Sequence, residues 1–228
     1  MNRQIDAVDT LSPQLFGSAY EGLSWTYMRG IVKAIEGRYT ECSPEEAAAV
    51  REFTARTRFP TRAVAEAVLA GGRSVGKTTT EVHFACSRAL RTYKRAPGER
   101  IKSILTSPTV QTSQNAHARC LALMEASPIT AAMIQRVTGT TIELTTGCDI
   151  ECRAANFAHV RGPGCCFVGV DELAFLPTDD GANPDRELLR AFRPALARVE
   201  GSLLLLTSTV YAQRGELWRY LKEGYGRD

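Results

Sequence analysis

The sequence predicts an α/β fold, with a mostly parallel central sheet flanked by helices. Three observations carry that prediction. From residue 63 onward, short apolar runs of strand character alternate with segments of helical periodicity. A glycine-rich loop, "GGRSVGKTTT" at 71–80, separates one apolar run from a helical pattern. An acidic pair, Asp171 and Glu172, closes another apolar run, at the strand end where open α/β sheets bind ligands.

Composition sets the frame. The chain has 228 residues, 44% hydrophobic and 23% charged, enough to bury a sizeable core. A net charge of +3 is too small to announce nucleic acid by itself. Apolar runs such as Leu203–Leu206 are too short to span a bilayer, and "MNRQIDAVDTLSPQLF" lacks the apolar centre of a secretory signal. A cytosolic protein without a membrane partner is expected. The seven cysteines are an odd count, which argues against a disulfide framework. Cys148 and Cys152 have the spacing of a zinc ligand pair, but the adjacent Cys165 and Cys166 do not supply a second pair. His83, His117 and His159 show no ligand spacing either. Small buried thiols are expected, and no structural metal.

Taken in order, residues 1–55 read as a helical N-terminal segment. Leu15, Phe16, Ala19, Tyr20 and Leu23 fall at helical spacing, and the pattern loosens from Trp25. Ser43-Pro44-Glu45-Glu46 is a helix start, with a serine cap, proline at the first position and a glutamate placed to close a capping box. That helix runs to about Ala55. Residues 56–228 form the core. "RTRFPTR" is a basic turn around Pro60, and Ala63–Ala70 reads as a buried strand entering the glycine loop. Beyond the loop, Val82, Ala85, Cys86, Ala89 and Tyr93 mark a helix. Lys102–Pro108 is a second strand, and Val110–Ala126 a helix. "TTIELTTG" and "DIECRA" form a hairpin around Gly147, and "CCFVGVDE" is a third strand of parallel type. A helix over Pro184–Val199 has Asn183 as its cap and an apolar stripe of Leu188, Phe192, Leu196 and Val199. Pro194 should kink it, because the ring removes a hydrogen bond to Arg190. "SLLLLTST" is a fourth strand, and Gly215–Leu221 a last short helix.

The loop has the spacing of a phosphate-binding turn: Gly71, four residues, then Gly76-Lys77-Thr78. Gly71, Gly72, Arg73, Ser74, Val75 and Gly76 would wrap backbone N–H groups around a β-phosphate. Lys77 would reach the β- and γ-phosphates, Thr78 would offer a hydroxyl to Mg²⁺, and the helix through Thr79 points its positive end at the anion. Asp171 would hold the metal's water shell, and Glu172 would polarise an attacking water. Thr207, Ser208 and Thr209, at the end of an apolar strand, can sense a γ-phosphate or form a plain hydroxyl-rich turn. The basic run Arg88–Arg100, with Asn156 and Phe157, is expected to contact a partner, DNA or a neighbouring subunit. Asp179, Asp180 and Asp185 read as caps near a helix start.

Six motifs in this order, "FTARTRFPTR", "GGRSVGKT", "SPTVQTSQ", "AANFAHVRGPG", "FVGVDELAF" and "LLLTSTVYAQRGELW", resemble the ATPase domain of tailed-phage terminase large subunits. The resemblance spans Phe53 to the C-terminus. It implies a P-loop NTPase of the additional-strand, catalytic-glutamate type, using ATP and Mg²⁺ to drive double-stranded DNA into a procapsid. It implies Lys77 and Thr78 on phosphate and metal, Asp171 on the metal, Glu172 as the catalytic carboxylate and Thr207–Thr209 as the coupling motif. Val210 stands where the family often has proline. An arginine four residues before the lysine is a family habit, so Arg73 is expected to neutralise phosphate charge in the same subunit. Arg161, ten residues before Asp171, is expected to act as an arginine finger on the next subunit, with a same-chain salt bridge to Asp171 or Glu172 as the alternative. A portal protein, a small terminase subunit, a homo-oligomeric ring and the host cytoplasm follow from the same likeness. The family's C-terminal nuclease domain is not within these residues, so nuclease activity is not expected. A helicase motor fragment, or a nucleotide-gated assembly module without turnover, are the rival readings.

Overall fold

The computed structural model describes residues 4–155, 163–176 and 184–228. Among them, seven strands form one sheet in the order β1-β7-β6-β2-β5-β4-β3. These are β1 (Glu66–Ala70), β2 (Ile101–Ser107), β3 (Ile134–Val137), β4 (Thr141–Leu144), β5 (Cys148–Ala154), β6 (Cys165–Val170) and β7 (Leu203–Ser208). The five strands β1, β7, β6, β2 and β5 run parallel, and β4 and β3 append an antiparallel edge. The mostly parallel sheet is therefore as expected. β6 and β7 are buried along their whole lengths, which is why they read as unbroken apolar runs rather than alternating ones.

Seven helices pack around this sheet among the described residues. They are α1 (Thr26–Ile35), α2 (Pro44–Thr54), α3 (Lys77–Ala89), α4 (Val110–Glu125), the single turn α5 (Pro128–Ala131), α6 (Pro184–Ala197) and α7 (Gly215–Gly224). One hydrophobic cluster joins α1 and α3 to β2, β5 and β7; a second packs α6 against β6 and the other face of β7. The capping box of α2 forms as its residues require. Ser43 accepts the N–H of Glu46, and the Glu46 carboxylate accepts the N–H of Ser43. Its end is Ala55, in the left-handed region at φ 51°. Thr109 caps α4 in the same reciprocal way with Thr112. Leu188, Phe192, Leu196 and Val199 are buried as the stripe predicts, and α6 continues through Pro194; its expected cap, Asn183, lies outside the described residues.

Three local expectations need correction, and one strand was not foreseen. Residues 15–23 form 3-10 turns rather than an α-helix, and the first true helix starts at Thr26, where the pattern had looked least regular. Gly17 and Gly22 explain this. A Cβ at Gly17 would lie 2.2 Å from the Leu11 carbonyl oxygen, and Gly22 sits at φ 89° just before the second turn. β1 begins at Glu66, because the Val64 N–H goes to the Ile35 carbonyl instead of a strand. Within β1 only Leu69 is fully buried, as befits an edge strand. α3 stops at Ala89; Tyr93 lies beyond it, its hydroxyl donating to the Arg88 carbonyl. β3, exposed over three of its four residues, carries too little apolar pattern to be seen in sequence.

Candidate active site

The register of the sheet brings three strand ends together. Ala70 pairs with Ser208, and Val170 with Leu206, so β1, β7 and β6 finish side by side at their carboxyl ends. The glycine loop leaves β1 there, the acidic pair leaves β6, and the hydroxyl triplet leaves β7. Strand β7 lies between the loop strand and the acidic strand, which is the additional-strand arrangement the resemblance implied.

Ser74 at φ 64° and Gly76 at φ 83° turn the loop into α3. No side chain caps α3, so its first N–H groups stay available at the cavity that Gly76, Lys77, Thr78 and Thr79 line. A Cβ added at Gly72 or Gly76 would meet nothing within 4 Å. The loop is thus an open cradle of donors. Lys77 is buried and folded back, its Nζ donating to the carbonyls of Gly71 (3.0 Å) and Gly72 (2.7 Å) and to the Thr209 hydroxyl (3.3 Å).

Glu172 is held across strands. It lies in the left-handed region at φ 48°, a conformation uncommon for a residue with a Cβ and concentrated at functional sites. Its Oε2 accepts the Thr209 N–H at 2.9 Å and lies 3.4 Å from the Ser208 hydroxyl; Oε1 accepts the Thr209 hydroxyl at 3.2 Å. Lys77 Nζ stands 3.9 Å from Oε1. Beside it, Asp171 accepts the Thr207 hydroxyl at 3.2 Å. Thr207, Ser208 and Thr209, at the end of β7, therefore all touch the acidic pair.

Charge is unbalanced here. Burial, and then the Glu172 carboxylate, push the Asp171 carboxyl above its ordinary range, against the Thr207 hydrogen bond. Glu81, one helical turn after Lys77 on α3, is completely buried, and neither carboxyl oxygen has a well-formed hydrogen bond, although the Thr207 hydroxyl lies near enough to favour its charged form. Burial and the nearby Asp171 push it well above the usual carboxylate range. Sequence reasoning passed over Glu81, since one glutamate in a helix gives no signal. Three acids thus gather around one lysine. The donor set, the Thr78 hydroxyl and the Asp171 carboxylate, consists of hard oxygens and suits Mg²⁺, whose charge would offset the crowded acids. A cavity of about 760 Å³ joins the loop, Arg73 and Glu172 to Trp25, Tyr27, Phe53 and Arg119, a volume in the range of nucleotide-sized ligands. Arg73 is exposed in the loop at this cavity.

Arg161, Asn156, Phe157, Asp179 and Asp180 lie outside the described residues. Asp185 accepts the Glu216 N–H at 2.7 Å, in the first turn of α7. The basic run does not form one exposed patch. Arg88 is 1% exposed and pairs with Glu36 at 2.8 Å, Arg91 also reaches Glu36, and Arg100 pairs with Asp149 at 2.6 Å. Lys94 and Arg95 are the exposed cations of the run. The cysteines are mostly internal: Cys148 lies 3.6 Å from Cys166, sulfur to sulfur, and Cys86 approaches the Cys120 carbonyl.

No protein-family model and no curated protein sequence matches this chain. Solved structures do. The large terminase of bacteriophage HK97 superposes with a TM-score of 0.63 at 11% identity, covering 95% of this chain and 40% of that one. The large terminase ATPase domain of Thermus phage P74-26 superposes with a TM-score of 0.52 at 14% identity, covering 75% of this chain and 72% of that one. This chain spans less than half the length of the HK97 protein. Its fold is that of the ATPase domain of phage large terminases.

Proposed function

We propose that this chain is the ATP-hydrolysing motor domain of a viral DNA-packaging terminase. The observation that carries the reading is the clamp on Glu172: a carboxylate fixed by the Thr209 backbone and hydroxyl, 3.9 Å from the loop lysine. A module that only bound nucleotide would have no need of a carboxylate aimed beside its phosphate cradle. In this reading the loop N–H groups and Lys77 bind the phosphates, and Thr78 and Asp171 hold Mg²⁺. When bound, Mg²⁺ neutralises charge on the β- and γ-phosphates. Glu172 orients a water and takes its proton as the water oxygen bonds to the γ-phosphorus and the bond to the bridging oxygen breaks, releasing ADP. Thr207, Ser208 and Thr209 feel the change through their contacts with the acidic pair. Arg73 from the loop and Arg161 from an adjacent subunit supply further positive charge. Double-stranded DNA, a portal, a small subunit, a homo-oligomeric ring and the host cytoplasm complete the proposal; they follow from the sequence resemblance, while the HK97 and P74-26 neighbours support only a large-terminase ATPase domain.

Two variants test it. Lys77→Ala should lose nucleotide binding in calorimetry. Glu172→Gln should bind ATP as the wild type does and lose turnover by at least about 10²-fold, the scale of a positioned general base. Wild-type hydrolysis by Glu172→Gln would overturn the assignment.

A further inference from the structure

Glu172 stands at φ 48°, a backbone state that persists in a residue with a Cβ only where its surroundings over-determine it. The clamp by Ser208 and Thr209 holds its carboxylate, but a carboxylate on a long side chain does not set the backbone. What sets the backbone follows at once, in the 3-10 turn Leu173–Phe175. Each residue of that turn is tied down separately. The Leu173 side chain is buried in the cluster between α6, β6 and β7. The Ala174 N–H donates to the Ser208 hydroxyl at 3.1 Å. The Phe175 ring meets the Tyr211 ring with centroids 5.0 Å apart, inclined at 50°.

The first two ties are internal to the fold, and the third is not. Phe175 is 44% exposed and Tyr211 63%, so neither ring serves the core. Tyr211 lies two residues beyond Thr209, on the segment that leaves β7. The two segments therefore meet twice, Glu172 with Thr209 through the carboxylate and Phe175 with Tyr211 through the rings. One point of contact lets two segments pivot; a second removes the pivot. We infer that Phe175 and Tyr211 are positioning residues for Glu172, a surface latch that holds the turn bearing the acid in register with the Thr209 segment. The inference rests on the hydrolysis reading above and deepens it. Neither ring lines the nucleotide-sized cavity, so the latch acts on the placing of the acid and not on nucleotide binding. An aromatic pair of this kind is equivalent to about two- to tenfold in an equilibrium between held and released turns. A displaced base loses rate without losing affinity, so the effect belongs to kcat.

Tyr211→Ala should lower kcat for ATP hydrolysis by about two- to tenfold with KM within about twofold. The contact is ring to ring, so Tyr211→Phe should restore the rate. Phe175→Ala should lose as much as Tyr211→Ala, and the double variant no more than either, because each removes the same contact. Amide hydrogen exchange without nucleotide is read beside the kinetics. In Tyr211→Ala the Ala174 and Phe175 N–H groups should exchange faster by a similar factor, while Leu203–Ser208 stay protected. Unchanged kcat in Tyr211→Ala overturns the positioning role and leaves the assignment of Glu172 standing. Additive losses in the double variant overturn the shared latch. If the wild-type chain hydrolyses no ATP, the motor reading fails by itself, and exchange decides the latch: faster at Ala174 and Phe175 upholds it, unchanged overturns it. Tyr211 is exposed, so its variants decide alone if Phe175→Ala does not fold.

Discussion

Glu172 and Glu81 are two glutamates close to one another that the fold treats in opposite ways. Glu172 is gripped by three donors at the rim of the cavity, while Glu81 is sealed beneath it with no well-formed hydrogen bond and only the Thr207 hydroxyl nearby to favour its charge. The folded pKa of Glu81 lies above its ordinary value of 4.5. Folding therefore disfavours its ionised form, so its penalty is absent below about pH 4.5 and grows as pH rises above it. Glu81→Gln keeps the volume and removes the charge. Without nucleotide it should stabilise the protein by about 1–3 kcal/mol at pH 8 and by little near pH 4, read from urea denaturation at both pH values. A loss of stability at pH 8 would mean that the acid has a partner worth more than its burial costs.

Elements with a local signature were legible. Ser43, Pro44 and Glu46 specify the start of α2 without help from the rest of the chain, and Ser43→Ala should cost about 1 kcal/mol in chemical denaturation. The loop, β6, β7 and α6 were equally visible, each marked by glycine spacing, an unbroken apolar run or a helical stripe. The failures have physical causes. At residues 15–23 the apolar spacing was right, but Gly17 is required for a close backbone approach, which spacing does not report. Arg88 was expected to contact a partner with the rest of its basic run; Glu36, far away in sequence, draws it inside instead. The cavity wall was invisible for the same reason, since Trp25 and Phe53 meet the loop only through tertiary packing. Of the site, the residues tied to backbone turns were readable, and those recruited across the fold were not.

At the scale of the molecule, the N-terminal segment and the core share one hydrophobic cluster and a buried ion pair. Glu36 follows α1, Arg88 lies in the last turn of α3, and the arginine also donates to the Gly201 carbonyl at 2.8 Å, just before β7. Removing one partner strands the other charge in the interior. Glu36→Ala should therefore lower the unfolding free energy by about 3–5 kcal/mol, while a change confined to the exposed Lys94 should lower it by well under 1 kcal/mol. Urea titrations of both variants make the comparison.

Strand β7 has neighbours on both flanks, β1 on one side and β6 on the other, and its Ser208 carbonyl also accepts the Gly71 N–H. A plank nailed along both edges cannot slide. On the proposed function, a change at the acidic pair when phosphate leaves is expected to move the short overhang beyond the last rung, where Thr209 grips Glu172 and the exposed Val210 and Tyr211 follow, rather than β7 itself. In amide hydrogen exchange, Leu203–Ser208 should stay protected with and without nucleotide, while residues 209–214 change with the ligand. If the chain is the motor domain proposed above, the sheet is its anvil and the six residues of overhang are its hammer.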